Sequence, residues 1–173
     1  MESREKEINQ YLEASSNFIM DKFDNTFELS KNENEILKWK SSMLLSEEKI
    51  DKNYLSKLFS ILIATKQYEQ AIKLIEKNKE ISNSQNIHDK LTLAEYFYLK
   101  GDNIMVRKTI TEQDKINVPP SIALRFFSLL WLTNQKDEKY VNELSKKINK
   151  SPEETKKRMN ICIESLEMSK LRK

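Results

Sequence analysis

Glycine is almost absent from this chain, which contains one glycine and three prolines in 173 residues. Strands and the tight turns between them depend on residues that accept positive φ angles or fix a turn, and these are mainly glycine and proline. The composition therefore predicts an all-α fold. Charged residues make up 33% of the chain and hydrophobic residues 38%, so charges can cover the outer helix faces while apolar side chains form the inner stripes.

The clearest helical pattern spans residues 54–77 and predicts two helices that fold back on each other around a break at residues 65–67. Apolar residues recur there at steps of three and four, which places them on one face of each helix. The small side chain of Ala71 lies in the middle of the second stripe, where it allows a neighbouring helix to approach closely. The first stripe consists of Leu55, Leu58, Phe59, Leu62 and Ile63, and the second of Tyr68, Ala71, Ile72 and Ile75.

The same rhythm along the chain predicts about four antiparallel helix pairs followed by a final helix, all within one domain of residues 1–173. Residues 1–45 are predicted as a degenerate first pair, residues 53–150 as the following hairpins, and residues 151–171 as a capping helix. The polar residues 15–17 leave two alternatives for residues 5–30, namely one long helix or two short ones. Residues 35–45 are predicted as the second helix.

Turn residues set several further boundaries. Gly101 suits the left-handed position just after a helix that is predicted at residues 87–99, and Asp102 suits the cap of the next one, predicted at residues 103–113. Two prolines then force an extended backbone before residues 121–133, which are apolar on nearly every side. We expect that helix to be the most buried element.

Equivalent positions recur every 35 residues through the hairpins. Ala71, Val106 and Val141 form one such series in the second helices, Phe27, Leu62, Phe97 and Leu132 form another in the first helices, and the turns align at Lys66, Gly101 and Lys136.

With this period the chain resembles the tetratricopeptide repeat family, whose units are helix pairs of about 34 residues. The resemblance is clearest in LFSILIATKQYEQAIKLIEK and weaker in LTLAEYFYLKGDNIMVRKTI. Asn103 replaces the aromatic residue of the family pattern, and Val106 replaces its alanine. The resemblance implies a right-handed stack, a solenoid, whose concave side is lined by the first helix of each pair and binds a peptide or helix of a partner protein. The matching residues are Leu58, Leu62, Tyr68, Ala71 and Ile75 in the first stretch, and Leu93, Ala94, Phe97, Gly101 and Ile110 in the second.

No pattern in the sequence indicates a reaction. His88 is the only histidine and Cys162 the only cysteine, whereas a metal site needs three or four converging ligands. A single glycine is too few for a phosphate-binding glycine loop. Cys162 shares a helical face with apolar residues, so we expect it to be buried. We expect no catalytic residue, cofactor or metal, and a protein that is not an enzyme, although a site assembled from scattered Lys, Tyr and Glu residues stays an alternative.

The predicted function is therefore binding of another protein, as an adaptor, a regulator or a secretion-type chaperone. Consecutive aromatic residues point in different directions around a helix, so one of Tyr96 and Tyr98 is expected to reach the groove. Apolar residues outside the buried face of the last helix could dock a partner, or a second copy of the chain to form a homodimer. The candidate partner-binding residues are Tyr96, Tyr98, Arg125, Ile161, Met168 and Leu171.

A basic segment at residues 146–158 supports the alternative of a nucleic-acid-binding protein. Glu153 and Glu154 interrupt the segment and no aromatic residue is interleaved, so we favour a solvated helix junction and regard nucleic acid as the second choice. The net charge of +3 adds little attraction. The segment's cations are Lys146, Lys147, Lys150, Lys156, Lys157 and Arg158.

Two features predict a cytoplasmic location. The first residues are charged and lack the apolar core of a secretory signal, and the single cysteine fits a reducing compartment. No apolar run approaches the roughly 18 residues that a membrane-spanning helix needs.

Overall fold

The structure, a computed structural model, describes residues 2–47 and 49–171, with the side chains of residues 2, 3, 5, 9, 170 and 171 excepted. Across these residues the chain forms nine α-helices and two 3-10 segments and contains no strand, which confirms the all-α prediction. The helices are α1 (Glu2–Thr26), α2 (Lys31–Leu45), α3 (Lys52–Ala64), α4 (Tyr68–Lys77), α5 (Ile87–Leu99), α6 (Asn103–Thr109), α7 (Pro120–Thr133), α8 (Lys139–Ile148) and α9 (Pro152–Leu171).

Capping side chains explain where several helices begin. Ser30 accepts a hydrogen bond from the backbone N–H of Glu33, while the Glu33 carboxylate accepts one from the Ser30 N–H. This capping box satisfies two donors that would otherwise lack partners. It moves the start of α2 to Lys31, four residues before the predicted start. Asp102 caps α6 as predicted, accepting a hydrogen bond from the N–H of Met105.

Two other predicted boundaries are resolved by local hydrogen bonds. Helix α1 is continuous, and the hydroxyl of the buried Ser16 donates to the carbonyl of Glu13. Helix α6 ends at Thr109, not at residue 113 as predicted. The carboxylate of Asp114 accepts hydrogen bonds from both the N–H and the hydroxyl of Thr111. That local pairing turns the chain into the 3-10 segment Gln113–Asn117.

The turns aligned by the 35-residue period share a left-handed backbone. The φ angle is 62° at Lys66, 81° at Gly101 and 54° at Lys136, so the prediction for Gly101 is confirmed. After α3 and α5, the next residue donates its N–H to the carbonyl five positions earlier, with N–O distances of 2.8 and 2.9 Å. This geometry closes a helix C-terminus. After α7 a second residue, Gln135, is also left-handed, and the equivalent bond is displaced by one residue.

Within residues 2–47 and 49–171, the nine helices pack as a stack of four antiparallel pairs and a final helix. Each pair, α1 with α2 through α7 with α8, packs internally, and each second helix contacts the first helix of the next pair. One connected hydrophobic core runs through the stack. The 35-residue column of Ala71, Val106 and Val141 is buried throughout. Every residue of α7 from Ile122 to Leu130 is buried, as predicted. The right-handed sense of the stack stays a prediction.

The first helix does not behave as the end of a linear array. In a linear repeat protein each unit contacts only its neighbours. Here α1 packs against α7 and α9, and α5 also contacts α9. Helix α1 therefore closes onto the C-terminal half of the stack. Among the described residues, no helix combines the length and the apolar composition that crossing a membrane requires.

Candidate functional site

A cleft of about 600 Å³ lies between α1 and the N-terminal halves of α3, α5 and α7. Helices α3, α5 and α7 are the first helices of successive pairs, and each contacts the next. Helix α1 forms the remaining wall because it packs back onto α7. The cleft is therefore assembled by the closure of the stack, and its walls carry mostly polar side chains. They include Asn17, Asp21, Asn53, Ser56, His88 and Ser121.

A buried ionic cluster centred on Arg125 forms the base of the cleft. The Arg125 guanidinium donates two hydrogen bonds to the Glu95 carboxylate, through Nε at 3.2 Å to Oε2 and through Nη2 to Oε1. Its Nη1 donates to Ser60 Oγ at 2.9 Å and lies 3.5 Å from Asp24 Oδ1. Arg125 is only 3% exposed and Glu95 only 1%. One side chain of α7 thus contacts α5, α3 and α1.

Burial and neighbouring charges set the protonation behaviour of this cluster. Burial raises the pKa of Asp24 to about 6, and repulsion from Glu95 and Asp21 adds to this, while Arg125 opposes it only in part. Burial alone would lower the pKa of Arg125, but the carboxylates of Glu95 and Asp24 outweigh it and hold that pKa above its ordinary value. Beneath the cluster, burial raises the pKa of the Cys162 thiol to about 12. Arg125 therefore stays charged, and the pKa of Asp24 is raised toward neutral pH.

The rim of the cleft differs from its base because several of its side chains are exposed. Asn17, Asn53 and His88 are exposed, and the amide groups of Asn17 and Asn53 make no hydrogen bond within the part of the chain that the structure describes. Asp89 is held in place by the hydroxyls of Ser56 and Ser84. The rim thus offers unpaired amides beside an ordered carboxylate.

An ionic contact at Glu13 holds the N-terminal half of α1 to its neighbours. The Glu13 carboxylate pairs with Lys40 Nζ of α2 at 2.5 Å and with Lys57 Nζ of α3 at 2.8 Å. These hydrogen bonds lower the pKa of Glu13 to about 2. Helix α1 is therefore anchored through Glu13 near its middle, whereas Asp24 near its C-terminus lies against Arg125 at the base of the cleft.

The predicted partner-binding residues do not share one surface. Tyr96 is partly buried and donates to the Glu76 carboxylate of α4 at 3.3 Å. Tyr98 is buried, and burial with the nearby charge of Glu167 raises its pKa to about 12. Arg125 alone of the six lines the cleft. Ile161 packs against the core, Met168 is 54% exposed, and the side chain of Leu171 lies outside those described.

Three of the six cations of the basic segment make contacts within the fold. Lys147 Nζ donates to the Val118 carbonyl at 2.7 Å. Lys156 pairs with Glu138 at 2.5 Å, and Arg158 pairs with Glu154 at 3.2 Å. In the described part of the chain, no ion pair or hydrogen bond involves the side chains of the other three, Lys146, Lys150 and Lys157.

Sequence reasoning missed the partners of Arg125, although a signal was present. Glu95 lies in the mainly apolar run LAEYFYL and Arg125 in SIALRFFSLLWL. A charge inside a helix that is apolar on nearly every side is rarely buried without a partner. Two such residues of opposite charge on successive first helices could have predicted the buried pair. Asp24 and Ser60 carry no comparable signal.

No group of three or more His, Cys, Asp or Glu residues among those described is arranged to hold a metal ion. The buried Cys162, predicted to be a small core residue, is packed in the hydrophobic core. No protein-family model matches the chain, and neither a curated protein nor a solved structure matches it. The resemblance to tetratricopeptide repeats therefore depends on the residues and turns of this chain itself.

Proposed function

We propose that this chain is a non-enzymatic protein-binding module whose cleft binds a short extended segment of a partner protein. The observation that carries the proposal is the polar cleft of about 600 Å³ between α1 and the three successive first helices. Its volume is within the range of about 300–1,000 Å³ of ligand pockets. The same volume would hold only about one turn of a helix that is 10–12 Å wide with its side chains, so an extended segment fits better.

The chemistry of the rim supports a peptide. Asn17 and Asn53 each present an amide that can both donate and accept hydrogen bonds. A peptide backbone offers the matching carbonyl and N–H groups at every residue. Asp21 and Lys52 add one exposed charge of each sign at the rim, so the segment can carry charges of either sign. Roles as an adaptor, a regulator or a secretion-type chaperone in the cytoplasm are compatible with such binding.

Site-specific photo-cross-linking tests this proposal in the native cell. A photoreactive amino acid at position 53 is expected to capture a defined partner, and the same group at Asn142, an exposed residue of α8 away from the cleft, is expected to capture none of it. Asn17→Arg with His88→Arg should block capture from position 53, while Asn142→Arg with Asn160→Arg should not, at equal melting temperature. Equal capture from both positions, or capture that survives the cleft substitutions, would contradict the proposal.

Nucleic-acid binding by residues 146–158 is a second candidate. It is supported by three lysines whose side chains make no ion pair or hydrogen bond among the described residues, Lys146, Lys150 and Lys157. Phosphate contacts release counterions, so such binding should weaken steeply as salt rises. Replacing these three lysines with glutamine should then remove a mobility shift of RNA or DNA at low salt. Absence of any shift from the unmodified chain at low salt would rule this candidate out.

A further inference from the structure

Helix α1 exposes apolar side chains along one flank, beside its buried face. Phe18 is 73% exposed and Tyr11 is 72% exposed, and Ile8 is 45% exposed. With Ser15 between them, these residues follow steps of three, four and three, which is the seam spacing of a two-helix coiled coil. We call Ile8, Tyr11, Ser15 and Phe18 the outer stripe. Exposed apolar side chains in a row are typical of an interaction surface.

We propose that the outer stripe joins two copies of this chain, with their α1 helices antiparallel about a two-fold axis between Ala14 and Ser15. In this arrangement Tyr11 of each copy faces Phe18 of the other. Such aromatic pairs bury large surfaces. The two small residues at the axis let the helices approach closely, and a two-fold axis lets one surface complement itself.

The charges beside the outer stripe favour a second copy in this orientation. The same axis places Glu7 of each copy opposite Lys22 of the other. Two attractive ion pairs therefore lie at the two ends of the contact between the helices. A parallel pairing would set Glu7 against Glu7 and Lys22 against Lys22, which is unfavourable. Lys22 is 47% exposed at its side chain and already pairs with Glu33 at 3.0 Å, an exposed contact that leaves it within reach of a second carboxylate.

The carboxylates near the outer stripe argue against a membrane surface as its binding partner. Glu7 and Asp21 lie close to the apolar residues on the exposed side of α1, and carboxylates are repelled by anionic headgroups. No residue of the outer stripe lines the cleft, so the cleft stays open in the pair. The location differs from the homodimer predicted through α9, where Ile161 packs against the core.

Charge exchange tests this proposal with the full chain. Sedimentation velocity over a concentration series should show a dimer for the unmodified chain. Glu7→Lys and Lys22→Glu should each weaken the dimer by roughly tenfold or more, because each sets like charges face to face. A mixture of the two single variants should form a heterodimer, and the chain with both substitutions should dimerise again. Recovery in the chain with both substitutions is specific to the antiparallel pairing, because a parallel pairing would still set like charges face to face.

Substitutions in the outer stripe provide the second measurement. Tyr11→Ser with Phe18→Ser should yield a monomer whose circular dichroism and melting temperature match those of the dilute unmodified chain. Ile116→Ser, which replaces an 80% exposed residue elsewhere, is the matched control and should leave the dimer intact. The proposal would be overturned if the unmodified chain were monomeric at all concentrations. It would also be overturned if the dimer persisted after the substitutions in the outer stripe and the charge substitutions. Binding of anionic vesicles that is lost in the seam variant would overturn it in favour of a membrane surface.

Discussion

Helices α1 and α7 contact each other but are stabilised in different ways. Every residue of α7 from Ile122 to Leu130 is buried, including the charged Arg125. Helix α1 is longer, yet it buries only one face and exposes Tyr11 and Phe18 on the other. The position of α7 therefore follows from core packing on all sides. The position of α1 depends on one apolar face and on the ion pairs of Glu13 near its middle.

The difference between α1 and α7 shows that a charged residue in a helix buried on every side needs partners within the core. A charged residue inside α7 is tolerated because its guanidinium finds Glu95 and Ser60, and only the contact with Asp24 extends to α1. Substitutions in α7 should therefore lower the stability of the whole chain. Substitutions in α1 should act mainly through its ionic contacts or through its outer surface.

A matched pair of phenylalanines should show the largest effect. Phe127→Ala in α7 removes a side chain that is 1% exposed, and the lost burial and the cavity should lower the free energy of unfolding by about 3–5 kcal/mol. Phe18→Ala in α1 removes one that is 73% exposed and should change it by no more than about 0.5 kcal/mol. Urea denaturation of dilute protein measures both. Similar losses for the two variants would contradict the contrast between the helices.

The buried ion pair should show the next largest effect. Arg125→Met leaves Glu95 buried without its partner, and breaking such a pair costs about 3–5 kcal/mol. We therefore expect a loss of about 3 kcal/mol or more. Arg158→Met, which breaks the exposed pair with Glu154, is the control and should cost about 0.5 kcal/mol or less. The variant carrying both Arg125→Met and Glu95→Met should regain most of the loss. A small loss in Arg125→Met alone would show that the pair is not needed for the position of α7.

Helix positions could be read from the sequence wherever one apolar stripe and a clear turn residue coincide. Helix α5 lies at Ile87–Leu99 as predicted, and Gly101 has the expected left-handed backbone. The length of α6 was wrong because a contact between the Asp114 carboxylate and Thr111 decides its end. Periodicity does not report such a side-chain contact.

The candidate site was much less accessible to sequence reasoning. Of the cleft residues only Arg125 was among the predicted partner-binding residues, and it lies at the base and not on an exposed wall. The cleft exists because α1 packs against α7, which joins residues about a hundred positions apart. A repeat frame predicts contacts between neighbouring units alone. Exposed amides such as Asn53 show no period, so nothing in the sequence separates them from other surface residues.

The acid at the contact of the two helices should make stability fall as the pH rises. The pKa of Asp24 is raised to about 6 in the folded chain from an ordinary value of 3.8. Its contribution to stability is therefore complete below pH 3.8 and is lost as the pH rises through 6. Asp24→Asn cannot ionise, so it should be more stable than the unmodified chain by about 1–3 kcal/mol at pH 8. The advantage should shrink toward zero at pH 4. Denaturation across this pH range measures it, and a variant less stable at pH 8 would mean that attraction to Arg125 outweighs burial.

Glu13, the acid near the middle of α1, should show the opposite pH dependence and the smallest effect. Two lysines lower the pKa of Glu13 to about 2 from an ordinary value of 4.5. Its contribution is therefore complete above pH 4.5 and is lost as the pH falls toward 2. Because the carboxylate is 34% exposed and screened by water, Glu13→Gln should cost only about 0.5–1 kcal/mol at pH 7.

The pH series that distinguishes the two acids uses the same denaturation measurement from pH 3 to pH 8. The loss in Glu13→Gln should decrease as the pH falls, while the gain in Asp24→Asn should increase as the pH rises. Adding 1 M salt should reduce the Glu13 effect, since the Debye length is then about 3 Å. It should change the Asp24 effect little, because that side chain is largely buried. If both acids changed stability in the same direction with pH, the contacts of α1 at Glu13 and at Asp24 would not depend on different forces. Opposite signs on a single helix would instead show that Glu13 attracts α1 to its neighbours and that burial of Asp24 against α7 opposes its docking at neutral pH.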